Sequence, residues 1–341
     1  MKNNAKTPRL GLSPLAVAIL IILPLLFGFA ALLIGRFSVS PADFAGAVMR
    51  FFTGGSAERA DAVIGMRLRR IILAALCGAG LAVSGSAYQG LFQNPLATPD
   101  TLGVASGASF GAALAILLGG GIFPIQLSAL LFGGAAVVLT KLTSPTRGNG
   151  TSAAVLAGIM IQSLFNALIS LVKFAADTDD KLPSITYWLM GSLQSASWAG
   201  MALGAPLIII GITVLFLLRW RLNLLSLSDD EARSSGVDMK KLRIAAVVCA
   251  TAITASCVSM CGQVGWVGLL VPHMMRLIFG SNQRRLIPAS IFAGAAFMIA
   301  VDTAARSLTA AEIPVSILTA IIGAPFFIYL MRRENGNGGV K

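Results

Sequence analysis

The stretch QGLFQNPLATPDTLGVASGASFG, residues 89–111, separates two strongly apolar segments by a short polar turn. Each of its two prolines biases the preceding residue away from the helical region, so the first apolar helix is predicted to end here. Beyond the turn Gly103, Gly107 and Gly111 recur at every fourth position, which leaves one helix face without side chains. Such a face lets a second helix approach closely inside a bilayer. The stretch therefore predicts a tight reversal followed by a closely packed helix.

The composition of the 341 residues is typical of a membrane protein that crosses the bilayer many times. Hydrophobic residues make up 56% of the chain and charged residues only 12%, whereas soluble domains carry roughly a quarter charged residues. Many stretches reach the roughly 20 apolar residues that a transmembrane helix needs. We predict an all-α fold with about ten transmembrane helices, at 13–35, 71–92, 101–119, 123–141, 152–173, 199–219, 243–262, 265–280, 288–306 and 313–331.

The basic residues predict that both termini are cytoplasmic. With the N-terminus inside, 17 of the 26 Lys and Arg residues fall in inner segments, which is the expected bias. This distribution explains the net charge of +12 without nucleic-acid binding. The run 13–35 lacks a convincing cleavage site and is predicted to be a first transmembrane helix rather than a signal peptide. The outer group Arg67, Arg69 and Arg70 runs against the bias and suggests a specific role.

The chain is predicted to form one membrane domain over residues 1–341, with two longer connections. An outer connection spans about 36–66, and an inner connection spans about 220–243. Acidic residues near the start of the inner connection favour the N-terminus of a short amphipathic helix, and Gly236 can end that helix.

Four motifs, in this order along the chain, resemble those of the FecCD-type permeases. They are RLRR (67–70), NPLATP (94–99), GWVGLLVPH (265–273) and EIPVSILTA (312–320). These permeases, of which the BtuC-like proteins are representative, are membrane subunits of type II ABC importers for iron–siderophore complexes, haem and vitamin B12. The sequence departs from the family pattern at Arg69, where proline is usual, at Gln93, where arginine is frequent, and at Ser316, which replaces a glycine.

The resemblance implies a multi-pass permease subunit in a bacterial cytoplasmic membrane, without enzymatic activity of its own. Two permease subunits, identical or homologous, would enclose one path, and an extracytoplasmic binding protein would deliver the cargo. The sequence lacks the G-x-x-x-x-G-K-[ST] phosphate loop, so separate ATPase subunits would bind ATP and magnesium, and no cofactor is expected in this chain. A ferric siderophore or related metal chelate is the expected cargo, and haem, cobalamin and an oxyanion remain alternatives.

The resemblance also assigns roles to particular residues. Docking of the binding protein is expected at Arg67, Arg70 and Arg306. Coupling to the ATPase is expected at Ala232, Arg233, Ser235, Gly236 and Val237. A cytoplasmic gate is expected at Asn94, Leu96, Thr151 and Ser152, and residues 184–193 and the fifth predicted span would line the path. Structural readings stay open for each group: arginines that snorkel to the interface or pair within a helix, a solvated surface helix, and a packing turn.

An ion-coupled secondary transporter is the main alternative in another functional class. Such proteins usually bury ionisable residues near the bilayer midplane, whereas Asp302, Arg306 and Glu312 fall near the predicted outer end of a span. His273 is the single histidine and cannot build a metal site alone. We expect it to bond a helix carbonyl that Pro272 leaves free.

Overall fold

The computed structural model describes residues 13–53, 58–144, 150–226 and 236–338. Within these ranges every regular element is helical, which confirms the all-α prediction. The α-helices are α1 (Pro14–Leu33), α2 (Pro41–Thr53), α3 (Arg59–Leu91), α4 (Val104–Leu117), α5 (Ile122–Thr143), α6 (Gly150–Ala175), α7 (Lys181–Leu189), α8 (Trp198–Leu218), α9 (Met239–Cys261), α10 (Val267–Phe279), α11 (Gln283–Ser307) and α12 (Val315–Gly338). Short 3-10 helices occupy Pro99–Leu102 and Arg221–Ser226.

Ten apolar helices lie where the sequence predicted membrane spans. Seven of them, α1, α3, α5, α6, α8, α9 and α11, are long and apolar enough to cross a membrane. The other three are shorter apolar segments within α4, α10 and α12. The outer connection contains α2, and α3 begins at Arg59, well before the predicted boundary at residue 71. The polar start of α3 hid this extension, because a hydropathy pattern reports only the apolar part of a helix.

The centre of the bundle is built from α3, α9 and α11. In α3, 78% of the most apolar stretch is buried, and the value is 61% for both α9 and α11. By contrast, only 6% of the corresponding stretch of α1 is buried. Helix α1 therefore lies at the periphery of the chain, with most of its aliphatic side chains facing outward.

The glycines that follow the polar turn bring α4 against α5. A Cβ atom added to Gly107 would lie 2.5 Å from the carbonyl oxygen of Phe132, and one added to Gly111 would overlap the carbonyl of Ser128. These contacts confirm the predicted side-chain-free face. Gly103 serves differently: its φ of 74° places it in the left-handed region at the N-cap of α4, a conformation that glycine adopts without steric cost.

A second close contact joins α3 to α11 in the core. Cβ atoms added to Gly78 and Gly294 would each overlap the other residue's carbonyl oxygen. Close approach of small residues is the main way in which helices associate in lipid. This contact fixes the register of two helices that carry the outer arginines.

Candidate functional site

Arg67 lies at the outer end of the bundle and caps the C-terminus of α1. Its Nη1 donates to the carbonyls of Leu32 and Leu33 at 2.6 and 3.1 Å, and its Nη2 donates to that of Phe37 at 2.6 Å. The last carbonyls of a helix have no intrahelical partner, and a cation there also complements the helix dipole. The residue is buried, with 6% of its surface exposed.

Arg70, on the same face of α3, binds two carboxylates. Its Nε donates to both oxygens of Asp302 on α11, at 2.8 and 3.0 Å. Its Nη1 donates to Glu312 Oε1 at 2.9 Å, and its Nη2 lies 2.8 Å from Glu312 Oε2. One guanidinium group thus joins α3, α11 and the segment that leads into α12.

Arg306, on α11, is the third arginine of this buried group. Its Nη2 donates to the carbonyl of Ala31, and its Nε lies 3.9 Å from Asp302 Oδ2. The helical pairing of Asp302 with Arg306, considered from the sequence, is therefore the longer of the two Asp302 ion pairs. In this structure the guanidinium groups of Arg67, Arg70 and Arg306 are turned toward the interior, so the predicted docking residues do not present their charges on the outer surface. Their docking role stays a prediction.

The turn with the predicted gate residues Asn94 and Leu96 is held locally. Asn94 Oδ1 accepts a hydrogen bond from the backbone N–H of Leu96 at 2.9 Å, and both residues are exposed, Leu96 by 49%. Ser152 is exposed near the start of α6. Thr151 belongs to the same helix, but its side chain lies outside the described part of the structure.

Asp100, the single charge of the opening stretch, links this turn to α6. Its carboxylate accepts hydrogen bonds from the backbone N–H groups of Ala105 and Ser106 at 3.0 and 3.3 Å, at the start of α4. Gln162 on α6 donates to Asp100 Oδ2 at 2.7 Å. Sequence reasoning did not identify Gln162, although an amide inside an apolar span is itself a signal of a polar partner.

Gln93 connects the turn that carries the predicted gate residues Asn94 and Leu96, called the gate turn below, to the inner connection. Its Nε2 donates to the carbonyl of Leu225 at 2.9 Å, within the 3-10 helix Arg221–Ser226. Gln93 also has a φ of 49°, which is uncommon for a residue other than glycine. Gln93, at which the sequence departs from the family pattern, thus directly joins two segments with predicted functions.

One face of α6 carries polar side chains that no part of the described chain covers. Ser163, Asn166 and Ser170 are all exposed on this face. The two serine hydroxyls bond carbonyls of their own helix, those of Ile159 and Asn166. An uncovered amide is costly against hydrocarbon, so this face is suited to contact with water or with another protein.

An outer cavity of about 610 Å³ lies beside α7 and the end of α9. Its lining is neutral and rich in hydrogen-bonding groups, including Ser184, Tyr187, Ser192 and Gln194, with Trp188 as an aromatic wall. Tyr187 is exposed by 44%. The predicted path segment 184–193 therefore borders a neutral cavity that offers hydrogen-bonding groups at the outer side.

The predicted coupling residues Ala232, Arg233 and Ser235 lie outside the described residues. The described end of this segment includes Gly236, whose φ of 73° is in the left-handed region, and Asp238, which directly precedes α9. Asp238 is the N-cap residue of α9, which starts at Met239, and it accepts hydrogen bonds from the backbone N–H groups of Lys240 and Lys241 at 3.0 and 3.1 Å. These bonds lower the pKa of the Asp238 carboxyl below its usual value. Gly236 and Val237 therefore connect directly to a firmly capped membrane helix.

His273 is buried on α10 beside Pro272, and its ring makes an edge-to-face contact with Phe327, 5.5 Å between centroids. The carbonyl contact expected from the sequence stays a prediction. The contact with Phe327 ties α10 to α12 near the inner half of the bundle.

Comparison with known proteins decides the family. A profile of the FecCD transport family matches residues 20–333 of the chain. The chain belongs to this family. FecCD proteins are permease subunits of ABC importers, and the ATPase of such an importer is a separate subunit.

Several relatives of this FecCD permease are similar over most of their length. The molybdate import system permease MolB of Haemophilus influenzae is 42% identical over 276 residues, which cover 80% of this chain and 82% of that protein. The Fe(3+)-citrate import system permease YfmE of Bacillus subtilis is 36% identical, with coverage of 96% and 98%. A solved inward-facing metal-chelate type ABC transporter has a TM-score of 0.85 at 38% identity and covers 94% of this chain and 100% of its own.

These relatives confirm a multi-pass ABC importer permease with the predicted architecture. They do not share one cargo, because the names of other relatives refer to iron chelatin, cobalamin and hemin. The FecCD fold is therefore compatible with several metal-containing cargoes.

Proposed function

We propose that this permease moves a ferric siderophore or a related metal chelate into the cell, in an assembly with a second permease subunit, two ATPases and a binding protein. The observation that carries this proposal is the uncovered polar face of α6, with Ser163, Asn166 and Ser170 exposed along a membrane helix. A second permease subunit that faces this helix would enclose a hydrated path. The neutral cavity beside α7 would form the outer mouth of that path.

The inner end of the path would be closed by Asn94 and Leu96 together with Thr151 and Ser152. The exposed leucine supports this assignment, because apolar side chains that meet at a constriction exclude water and so block passage. The bond from Gln162 to Asp100 supports it as well, since it ties the turn to α6. Movement of α6 would then be transmitted to the turn.

Energy would enter through the inner connection, where the ATPase is expected to contact Ala232, Arg233, Ser235, Gly236 and Val237. The bond from Gln93 to Leu225 supports this route. A displacement of the connection by a closing ATPase would pull directly on the gate turn. The chain itself would perform no covalent chemistry.

The binding protein would dock on the outer surface around Arg67, Arg70 and Arg306. Because these arginines are buried, we propose that they act by holding the backbone at Phe37 and the carboxylate of Glu312 in the arrangement that the binding protein recognises. Replacing Arg67 with Gln should then weaken docking by a similar factor at low and high salt, since no exposed charge pair is lost. If Arg67 pairs directly with a carboxylate of the binding protein, the loss will be largest at low salt. Arg36→Gln is the control, since Arg36 is exposed and bonds the carbonyl of Thr309.

The cargo proposal rests on the neutral lining of the outer cavity and on the relatives whose names refer to iron chelates. A ferric siderophore presents many oxygen acceptors, which suit the hydroxyl and amide donors of Ser184, Ser192 and Gln194. An oxyanion such as molybdate is the second candidate, favoured by the 42% identical relative. It would use the same neutral donors.

Uptake into proteoliposomes tests this proposal. The permease would be reconstituted with its cognate ATPase and binding protein, and ATP-dependent uptake would be measured for ferric chelates, haemin, cobalamin and molybdate. Uptake of a ferric chelate at least ten-fold above that of the others supports the cargo. A preference for molybdate would instead support an oxyanion as the cargo. Uptake that continues with a hydrolysis-deficient ATPase and follows an ion gradient supports the secondary transporter instead.

A further inference from the structure

A second cavity, of about 630 Å³, lies at the outer end of the bundle between α1, α2 and α3. This outer groove lies on the side of α3 opposite the buried arginines. Its walls are mainly apolar and include Phe44 and Val48 of α2, Leu68 of α3 and Trp198 at the start of α8. The volume falls in the range of about 300–1,000 Å³ that is usual for small-molecule sites.

The groove is held open by contacts at both ends of α2. Phe44 packs edge-on against Phe29 of α1, with 5.7 Å between ring centroids. Arg50 donates from Nη2 and Nε to the two oxygens of Asp61 on α3, at 2.7 and 3.0 Å. It also lies 3.1 Å from Glu58. These contacts fix α2 at a distance from α3, so the space between them is part of the fold.

Two of the three charged residues that line the groove are held in ion pairs. Asp61 pairs with Arg50, and Arg50 pairs in addition with Glu58. Arg69 also lines it and has no hydrogen-bond or ion-pair partner among the described residues of the chain. Among the described residues, the Arg69 guanidinium is therefore left without a hydrogen bond or ion pair at the rim of an apolar cavity. Phosphate groups are the natural partners of such a guanidinium.

The position of Trp198 indicates that the groove opens near the outer membrane interface. Trp198 begins a membrane helix on the outer side, and Trp side chains are enriched at membrane–water interfaces. Leu68 and Val48 are each 43% exposed and Phe52 is 80% exposed, so the apolar wall continues onto the surface that faces the acyl chains. A ligand that fits must carry an anion at one end and hydrocarbon at the other.

We propose that this groove is a binding site for an anionic phospholipid of the outer leaflet. The phosphate of the headgroup would bind Arg69, and an acyl chain would lie along Leu68, Val48 and Phe52. Bound in this way, the lipid would brace α2 against α3 beside the surface on which a binding protein docks. A free phosphate ion would leave the apolar wall unfilled, and a second copy of the chain would need an acidic residue at Arg69.

Lipid retention by the full-length purified permease tests this site. The protein in detergent would be exposed to equal amounts of phosphatidylglycerol and phosphatidylcholine with matched acyl chains, and bound lipids would be counted by native mass spectrometry. The wild type should retain phosphatidylglycerol preferentially. Arg69→Gln should lower the ratio of the two retained lipids about five-fold, the effect of one basic residue near an anionic headgroup, and Arg69→Lys should keep most of the preference.

Two further variants make the test specific. Arg59→Gln removes an outer charge that does not line the groove and should leave the ratio unchanged. Gly65→Phe should reduce retention of both lipids, because a Cβ at Gly65 meets only Arg69 Nη1 at 4.0 Å and the ring can occupy the groove. The proposal is overturned if Arg69→Gln keeps the wild-type ratio, if Arg59→Gln lowers it equally, or if Gly65→Phe retains all lipid at an unchanged thermal midpoint. If Arg69→Gln changed dimer formation but not lipid retention, the groove would be assigned to contact with a second copy of the chain.

Discussion

The Nε of Arg70 lies 2.8 Å from Oδ1 of Asp302, although the two residues are 232 positions apart in the chain. This pair joins the outer ends of α3 and α11, the same helices that touch through Gly78 and Gly294 deeper in the membrane. Both side chains are nearly excluded from solvent, with 11% and 2% exposed. At this burial each charge compensates the other, and either charge without its partner would be strongly unfavourable.

Replacing Arg70 with Met should therefore destabilise the fold strongly. The substitution keeps an unbranched side chain but leaves Asp302 and Glu312 without their shared cation. Loss of one partner of a buried ion pair costs about 3–5 kcal/mol, which should appear as a large fall in the thermal midpoint of the purified protein. The double variant Arg70→Met/Asp302→Leu should recover the part of this loss that comes from the unpaired Asp302, whereas Glu312 stays without its cation. Equal midpoints for the single and double variants would show that an unpaired Asp302 is not the source of the loss.

A Cβ atom at Gly107 should separate α4 from α5. Gly107→Ala places a methyl group 2.5 Å from the carbonyl oxygen of Phe132, and overpacking of this kind costs about 1–3 kcal/mol. The control is Gly134→Ala in α5, where an added Cβ meets nothing within 4 Å. There the change should be neutral or slightly stabilising, because alanine favours helix by up to about 1 kcal/mol over glycine. If both variants lowered the thermal midpoint by the same amount, the close contact between α4 and α5 would be contradicted.

The sequence predicted the ten spans because apolar length and proline placement are local properties. It also predicted that Arg67 and Arg70 share a helix face, since they are three residues apart. The sequence alone could not show whether that face of α3 contacts water or packs against α1 and α11. The partners, Leu32 and Asp302, are distant in sequence, and only the packed bundle brings them to the arginines.

At the gate turn, too, the sequence predicted the local structure but not the distant residues that contact it. Its prolines and its glycine spacing were sufficient to predict a reversal and a close helix. The amides that hold the turn, Gln162 on α6 and Gln93, could not be assigned partners, because Asp100 and the Leu225 carbonyl are reached only through tertiary packing. The small helices α2 and α7 were likewise not predicted as helices, since neither is long enough to give a membrane-span signal.

Removing the bond from Gln93 to Leu225 should loosen the coupling of ATP hydrolysis to uptake. Gln93→Leu keeps a side chain of similar size but cannot donate to the carbonyl, so movement of the inner connection would reach the gate turn less directly. The amount of ATP hydrolysed per cargo molecule imported should rise several-fold in proteoliposomes. Gln93→Arg, the residue frequent in similar permeases, retains N–H donors and should stay near the wild-type ratio. An unchanged ratio in Gln93→Leu would remove this bond from the coupling route.

Gly236 offers a test of the inner connection through its backbone conformation. Its φ is 73°, and an added Cβ would meet nothing within 4 Å, so within this chain a larger side chain costs energy through the left-handed geometry, about 1–2 kcal/mol. Gly236→Val should therefore raise the ratio of ATP hydrolysed to cargo imported, whereas Gly236→Asn, which tolerates this geometry, should change it little. Gly121→Val is the control, because that residue has a φ of −77° and equally open surroundings. If hydrolysis and uptake fall in the same proportion in Gly236→Val, the segment contributes to assembly and not to coupling.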